Sequence, residues 1–456
     1  MPEPMIPRMT LPMTPLLLSY YGDDFTGSTD VMESLSVHGV DTVLFLRIPD
    51  EALLARFSHC RAIGLAGTSR SETTGWMDES LPEIFSFLKS LKAAVCHYKV
   101  CSTFDSSPET GNIGRAVEIG ARLFDQPVVP LLVGAPQLKR YTAFGTLFAA
   151  YQGETYRIDR HPVMSRHPVT PMREADLRLH LAAQTALPVR LADLATLAAG
   201  DADSRIDALI ERFEGMLLLD VDSLDSQRAA GAQLARLNHR GLRFMAGSSG
   251  VEYALLSRWQ AEGITPGPRA FDEPGAVERI AVVSGSVSPT TERQIRQAEA
   301  DGFDTVPVDP LALLGEGSEA ARQAAVTAGM AALDQGRSVV LHTALGPAAD
   351  QGEAIDRVAG SRHRIGQTLG SILLALVEQA GLTRAVIAGG DTSSHALTAL
   401  KVDALTTLLP LPQTPGSPLC TAHGAHAPTN GLQVSLKGGQ VGTDSYFAQI
   451  RDGRRA

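Results

Sequence analysis

Strand-length apolar runs alternate with helix-periodic stretches along almost the whole chain, and that alternation restricts the fold to the α/β class. In the first half the strand-like runs are Leu16–Tyr20, Thr42–Leu46, Ala62–Leu65, Ala94–Lys99 and Val128–Val133, with Met216–Val221 and Arg243–Ala246 further on. Helices are expected at Val31–His38, stopped by Gly39, at Asn112–Phe124 and at Ser226–Arg240. Between Gly263 and Gly275 proline and glycine crowd together and the periodicity vanishes. The pattern then restarts with strands Arg279–Ser284, Thr305–Val308, Ser338–His342 and Ala385–Ala388, separated by helices Thr290–Asp301, Glu319–Gln335 and Ile365–Gly381. A chain of 456 residues is too long for one ordinary core. The expectation is a flexible tail at 1–15, a first domain at 16–262, a linker at 263–278 and a second domain at 279–456, each domain α/β with a largely parallel sheet.

Composition narrows the partners. A formal charge of −10 with no run of Lys or Arg speaks against nucleic acid and anionic membrane. It leaves phosphate ligands open, because backbone N–H groups and a few local cations can hold them. Cys60, Cys96, Cys101 and Cys420 show neither a Cys-x-x-Cys pair nor zinc spacing, and read as reduced thiols. Residues 1–15 are broken by prolines and hold no apolar h-region, and no apolar run approaches the roughly 18–20 residues of a membrane span. A cytoplasmic protein is expected, with a homodimer as the default assembly.

The first strand runs straight into Gly22-Asp23-Asp24-Phe25-Thr26-Gly27-Ser28. Adjacent carboxylates repel, so a fold that holds them together usually supplies a proton, a metal or a substrate hydroxyl. In open parallel sheets ligands bind outside the carboxyl ends of the strands, where this motif falls. The plainer reading is that one of the two aspartates only caps the following helix.

The second half has four glycine- and hydroxyl-rich turns: Ser284 to Pro289, His342 to Pro347, Ala388 to Ser394, and Lys437 to Gly442. The first and third follow a strand and open a helix, so their N–H groups suit an anion such as phosphate. Any such turn can use Gly and Ser for geometry alone. Four in one domain favour a nucleotide, although neither Gly-x-x-x-x-Gly-Lys-Ser/Thr nor Gly-x-Gly-x-x-Gly is present.

Six segments together resemble the four-carbon acid sugar kinase family over residues 15–450. They are Asp23-Asp24-Phe25-Thr26-Gly27-Ser28, His167-Pro168-Val169-Thr170-Pro171-Met172, Gly247-Ser248-Ser249-Gly250, Ser284-Gly285-Ser286-Val287-Ser288, Gly389-Gly390-Asp391-Thr392-Ser393 and Lys437-Gly438-Gly439. The resemblance implies an N-terminal acid-sugar-binding domain, a C-terminal ATP-binding domain, an interdomain active-site cleft and phosphate transfer to a terminal hydroxyl. Asp24 or Asp23 is then the base, its neighbour binding another hydroxyl or the metal. Thr26, Gly27, Lys99, Ser102, Thr103, Asn112, Arg166 and His167 are the expected substrate contacts. Ser286, Gly389, Gly390, Asp391, Thr392 and Gly439 would cradle ATP. Mg²⁺ is expected to arrive with the nucleotide rather than in a preformed protein cage.

One segment departs from the family pattern. Where relatives commonly read Lys, then Asp-Ser-Thr, then Leu-Arg-Gly-Asn, this chain keeps Lys99, Ser102, Thr103, Gly111 and Asn112 but has a longer turn without the arginine. An arginine there would be a natural fork for a carboxylate. Its absence points to an oxidised or branched acid such as 3-oxo-isoapionate or 3-oxo-tetronate. In the other reading Arg115, Arg166 or Lys99 supplies the cation to an ordinary threonate or erythronate.

Competing functions fit less well. A non-catalytic sugar-acid or nucleotide sensor would have no use for the aspartate pair. A haloacid-dehalogenase-type phosphohydrolase wants Asp-x-Asp, whereas here the carboxylates are adjacent. His423 and His426 lack a third metal ligand nearby, and Cys101 lacks an adjacent base.

Overall fold

The structure, a computed structural model, describes residues 15–455 apart from 168 and 359, and leaves the side chain of Asp391 outside the description. The expected tail therefore lies almost wholly outside the described residues. The chain forms two compact units, and the division is not a single cut. One unit takes in the chain through Asp23 and again Ser34–Pro268; the other takes in Asp24–Glu33 and everything from Arg269 onward.

The N-terminal unit contains β1 (Leu18–Gly22), β2 (Thr42–Phe45), β3 (Ala62–Ala66), β4 (Val95–Lys99), β5 (Val128–Leu132), β6 (Arg140–Ala143), β7 (Thr146–Tyr151), β8 (Glu154–Arg157), β9 (Val189–Ala192), β10 (Gly215–Leu219) and β11 (Phe244–Gly247). Eight of these form a parallel sheet in the order β2-β3-β1-β4-β11-β5-β10-β9. All of its strands except β9 are buried along their whole length, and β3, β5, β10 and β11 are apolar throughout, as a parallel sheet covered by helices requires. At this depth each Val, Leu or Ile contributes roughly 1.5–3 kcal/mol. In β1 and β4, Tyr21 lies stacked on Tyr98 with centroids 6.2 Å apart, and Phe85 meets both rings edge-on.

The C-terminal unit contains β12 (Ala281–Ser284), β13 (Asp304–Pro307), β14 (Val339–His342), β15 (Arg384–Ala388), β16 (Ala404–Leu409), β17 (Leu419–His423) and β18 (Gln433–Lys437). Strands β13-β14-β12-β15-β18 are parallel neighbours in that order. Strand β17 runs antiparallel to both β18 and β16. The core on one side of this sheet gathers Ile280, Val282, Val340, Val386, Tyr446 and Phe447.

Two features depart from the sequence expectation. The helix after the aspartate pair spans Phe25–Val37, not Val31–His38. Asp24 caps it by accepting the Gly27 N–H at 2.6 Å, so helical hydrogen bonding begins at once despite the Thr, Gly and Ser residues of the first turns. Strands β6, β7 and β8 form a separate antiparallel sheet for which no expectation was made. Its turns pair Phe144 with Gly145 and Gln152 with Gly153, all at positive φ. That is primed-turn geometry, but without the Asn-Gly or Asp-Gly that would announce it. Among the described residues no helix is long and apolar enough to cross a membrane.

Candidate active site

In the N-terminal unit the chain leaves β1 for β2 and β3 on one side, then crosses to β4 on the other. The crevice outside the carboxyl ends of β1, β3 and β4 is therefore a topological switch point, the usual ligand position in such sheets. Asp23 follows β1 there and is 3% exposed. Its N–H donates to Lys99 O at 2.9 Å, and its own carbonyl receives the Arg70 N–H at 3.1 Å. Burial raises the phenols of Tyr21 and Tyr98 above their ordinary range, and the charge of Asp23 adds to the shift. Lys99 ends β4 and is buried, with its Cα in register with Gly22.

A polar cluster grows from this edge. Arg70, on the short turn after β3, donates to Asp105 Oδ2 from Nη2 at 2.7 Å and from Nε at 3.2 Å. The Thr103 hydroxyl donates to Asp105 Oδ1 at 2.5 Å, and that of Thr170 donates to Oδ2 at 3.0 Å. His167 Nδ1 receives the Thr170 N–H at 3.1 Å. Burial by itself would raise the Asp105 carboxyl; Arg70, the Thr103 hydroxyl and His167 outweigh it and hold the pKa at about 2. The Arg70 side chain keeps 24% exposure while that of Asp105 has none. Within this loop Phe104 adopts φ 57° although fully buried. A bulky residue in the left-handed region is costly and concentrates at functional loops.

Linkage gives Asp105 a measurable signature. Its folded pKa lies below the 3.8 of an unperturbed aspartate, so its contribution is present above about pH 4 and is lost as pH falls through about 2. The amount is about 2 kcal/mol. Acid unfolding monitored by circular dichroism should show a flatter limb between about pH 4 and 2 for Asp105→Asn.

The other expected substrate contacts are placed unequally. Thr103 and His167 join the cluster. Ser102 is half-buried in the turn after β4. Asn112 commits its carbonyl to the Arg115 N–H at 2.6 Å and its amide to Pro108 O and Gln184 O, so it caps the Ile113–Phe124 helix. Arg166 is exposed on the Met164–Arg166 turn. Arg115, one of the cations considered for the substrate, is bound to Asp78 at 2.6 Å and Glu118 at 2.7 Å. Cys101 pairs with Thr103 Oγ1 at 3.0 Å. His423 and His426 bond separately to Thr406 and Glu378.

In the C-terminal unit the switch point falls between β12 and β15, and the glycine turns after β12, β15 and β18 interlock there. A Cβ on Gly285 would stand 2.2 Å from Thr392 Oγ1, and one on Gly389, at φ 120°, would stand 2.9 Å from the same oxygen. Both positions require glycine. A Cβ on Gly439 would lie 3.1 Å from Ser286 Oγ. The Thr291 hydroxyl ties the first turn to the last, donating to Ser286 Oγ at 3.0 Å and Gly439 O at 3.2 Å. Ser288 caps the Pro289–Ala300 helix, and Gly390 opens the Gly390–Ala399 helix. Ser286, Gly389, Thr392 and Gly439 are thus brought together at two helix N-termini, where backbone N–H groups and the dipole favour an anion. The side chain of Asp391 is outside the description.

The first turn of the Phe25–Val37 helix belongs to this same unit. A Cβ on Gly438 would touch Thr26 Cγ2 at 3.4 Å, which sets the Asp24 cap beside the Lys437–Gly442 turn. The helix is anchored further along. Glu33 accepts the N–H groups of Leu411 at 2.7 Å and Gly416 at 2.8 Å, and Thr29 Oγ1 donates to Gly416 O at 2.6 Å. Burial pushes the Glu33 carboxyl up to about 8 against those two N–H groups. Gly27 gives its N–H to Asp24 and Thr26 faces Gly438, so both residues serve this turn. Asp24 is half-buried, and the cap engages one carboxylate oxygen and so fixes the direction of the other.

Sequence reasoning missed Arg70, Asp105 and Thr291 as site groups. Arg70 could have been found by the rule applied to Asp23, since it lies in the turn that follows an apolar strand.

Comparison with known proteins fits this geometry. Residues 18–255 match the model of a sugar-binding N-terminal domain, and residues 281–447 that of a nucleotide-binding C-terminal domain. A 3-oxo-isoapionate kinase of Paraburkholderia graminis is 46% identical over 450 residues, 97% of this chain and 95% of its own. A 3-oxo-tetronate kinase of Methylobacterium radiotolerans is 29% identical over 444 residues, 96% of this chain and 99% of its own. A solved structure from Salmonella typhimurium LT2 shares the fold with a TM-score of 0.73 at 24% identity, covering 96% of this chain and 98% of its own. The class is that of a two-domain sugar-acid kinase. Within it, the chain belongs to the four-carbon acid sugar kinase family.

Proposed function

We propose that the chain transfers the γ-phosphoryl group of ATP, taken as its Mg²⁺ complex, to a terminal hydroxyl of an oxo or branched sugar acid, with 3-oxo-isoapionate as the substrate. The observation that carries the reading is the meeting of the Asp24 cap with the glycine turns of the nucleotide-binding domain through Thr26 and Gly438. Phosphoryl transfer asks for positioning and charge neutralisation more than covalent chemistry. A carboxylate that orients the attacking hydroxyl, next to a nest of N–H groups for the phosphates, supplies both. In the step, Asp24 takes the proton of the acceptor hydroxyl as that oxygen bonds to the γ-phosphorus. The bond from phosphorus to the β–γ bridging oxygen breaks, and ADP leaves.

Arg70 is the group we assign to the acid's carboxylate. Asp105 orients its guanidinium, and its backbone is bonded to Asp23. A planar fork held this way suits bidentate recognition of a carboxylate. That assignment answers the missing arginine of the 101–112 loop, whose own Asp105 instead holds an arginine from the neighbouring turn. Mg²⁺ would take most of its ligands from phosphate oxygens and water. The choice of 3-oxo-isoapionate draws support from the relative at 46% identity.

A coupled ADP-release assay with 3-oxo-isoapionate, 3-oxo-tetronate, erythronate and threonate tests the proposal. The highest kcat/KM is expected for 3-oxo-isoapionate. A higher value for either simple tetronate would overturn the substrate assignment. ATP binding without ADP release on any of the four would favour a sensor.

A further inference from the structure

Lys437, the last residue of β18, is buried to 0% exposure, and among the described residues it forms no ion pair. Its ammonium donates instead to Gly438 O at 2.7 Å, Thr291 Oγ1 at 3.1 Å, Gly439 O at 3.4 Å and Val441 O at 3.5 Å. Placing a cation in the interior without an acid costs several kcal/mol, and an apolar side chain of similar length would fill the space without that cost. Packing alone therefore gives no reason for a lysine here. The turn itself does. In a trans peptide the C=O and the following N–H point in opposite directions. Three carbonyls collected on the buried side by one ammonium turn the amides of Gly439, Gln440 and Gly442 to the other side.

We propose that Lys437 is the positioning residue of the phosphate-binding turn, holding these carbonyls inward so that the amides meet the nucleotide's phosphates. The proposal rests on reading the C-terminal turns as the ATP site. Gln294 reinforces the same geometry, donating from Nε2 to Val441 O at 3.0 Å and Thr443 O at 2.9 Å. Burial lowers the Lys437 ammonium to about pKa 7, in keeping with a charge met by carbonyl and hydroxyl oxygens among the described residues.

Calorimetric binding of ATP and ADP, with steady-state kinetics on the full chain, separates the possibilities. Lys437→Met should raise the ATP Kd and KM by about 10- to 100-fold while the acid KM stays within about twofold. Thr291→Val, which removes the hydroxyl shared by Lys437 and Gly439, should raise the ATP KM by about 3- to 10-fold. The double variant should lose less than the product of the two, because both act on one set of carbonyls. A Lys437→Met protein that binds ATP as the parent does would overturn the assignment. If that variant does not fold, an unchanged ATP KM in Thr291→Val does so. Failure of the parent protein to bind ATP or ADP would instead defeat the ATP-site reading on which the proposal rests.

Discussion

Asp24→Asn is expected to lower kcat by about 10²- to 10⁴-fold, the usual contribution of a positioned general base. The ATP Kd should stay within about twofold of the parent. The substitution separates the two roles this residue holds. Asparagine keeps the side-chain oxygen that accepts the Gly27 N–H, and it ranks with aspartate as a helix cap. The Phe25–Val37 helix therefore survives while the carboxylate is lost. Asp24→Ala removes both functions and should in addition lower stability by about 1 kcal/mol. An Asp24→Asn enzyme with normal turnover would show that the cap is the whole role of this residue. Asp23→Asn would then be the variant to examine, because the neighbouring carboxylate sits at the carboxyl end of β1 beside Arg70.

Arg70→Met should raise the KM for the acid by about 100-fold, with a smaller effect on the KM for ATP. Arg70→Lys should recover little of the loss, because a point charge cannot reproduce a planar fork. Lost substrate binding must be told apart from lost folding, since Arg70 also neutralises a buried carboxylate. Removing one partner of a buried ion pair costs about 3–5 kcal/mol, so Arg70→Met alone should lower the melting temperature. Adding Asp105→Asn removes the stranded charge. The double variant should recover much of the melting temperature and none of the acid affinity. Recovery of both would make Arg70 a structural partner of Asp105 and nothing more.

The parts of the site that were legible in the sequence are those built within a few consecutive residues. A strand followed by Asp23-Asp24, or by Gly285-Ser286, is written in the order of the residues, and so is its position at a strand end. The glycines themselves were legible, but their reason was not: Gly285 and Gly389 must lack a Cβ because Thr392 Oγ1, from a turn distant in sequence from Gly285, fills that space. Groups that depend on the direction of a side chain were not legible. Arg115 stands three residues after Asn112 and looked available for a carboxylate, but its guanidinium turns to Asp78 and Glu118. Asn112 carries a family motif yet spends its side chain on a helix cap and its loop. The hairpins of β6 to β8 escaped notice because their turn residues are not the usual ones for positive φ.

Sequence by itself determined the α/β class, the two glycine-turn helix N-termini and the carboxylate pair, because hydrophobic period and turn chemistry are local properties. Only the tertiary structure decided three further points. Arg70 pairs with Asp105, thirty-five residues away, because β3 and β4 flank β1 in the sheet. Asp24–Glu33 belongs with the C-terminal unit, because Glu33 and Thr29 bond to Leu411 and Gly416. Among the described residues, Lys437 faces carbonyls rather than a carboxylate. Each follows from strand order and burial. Strand order is set by the mutual fit of whole apolar faces, and burial turns a hydrogen bond that water would otherwise satisfy into an obligation.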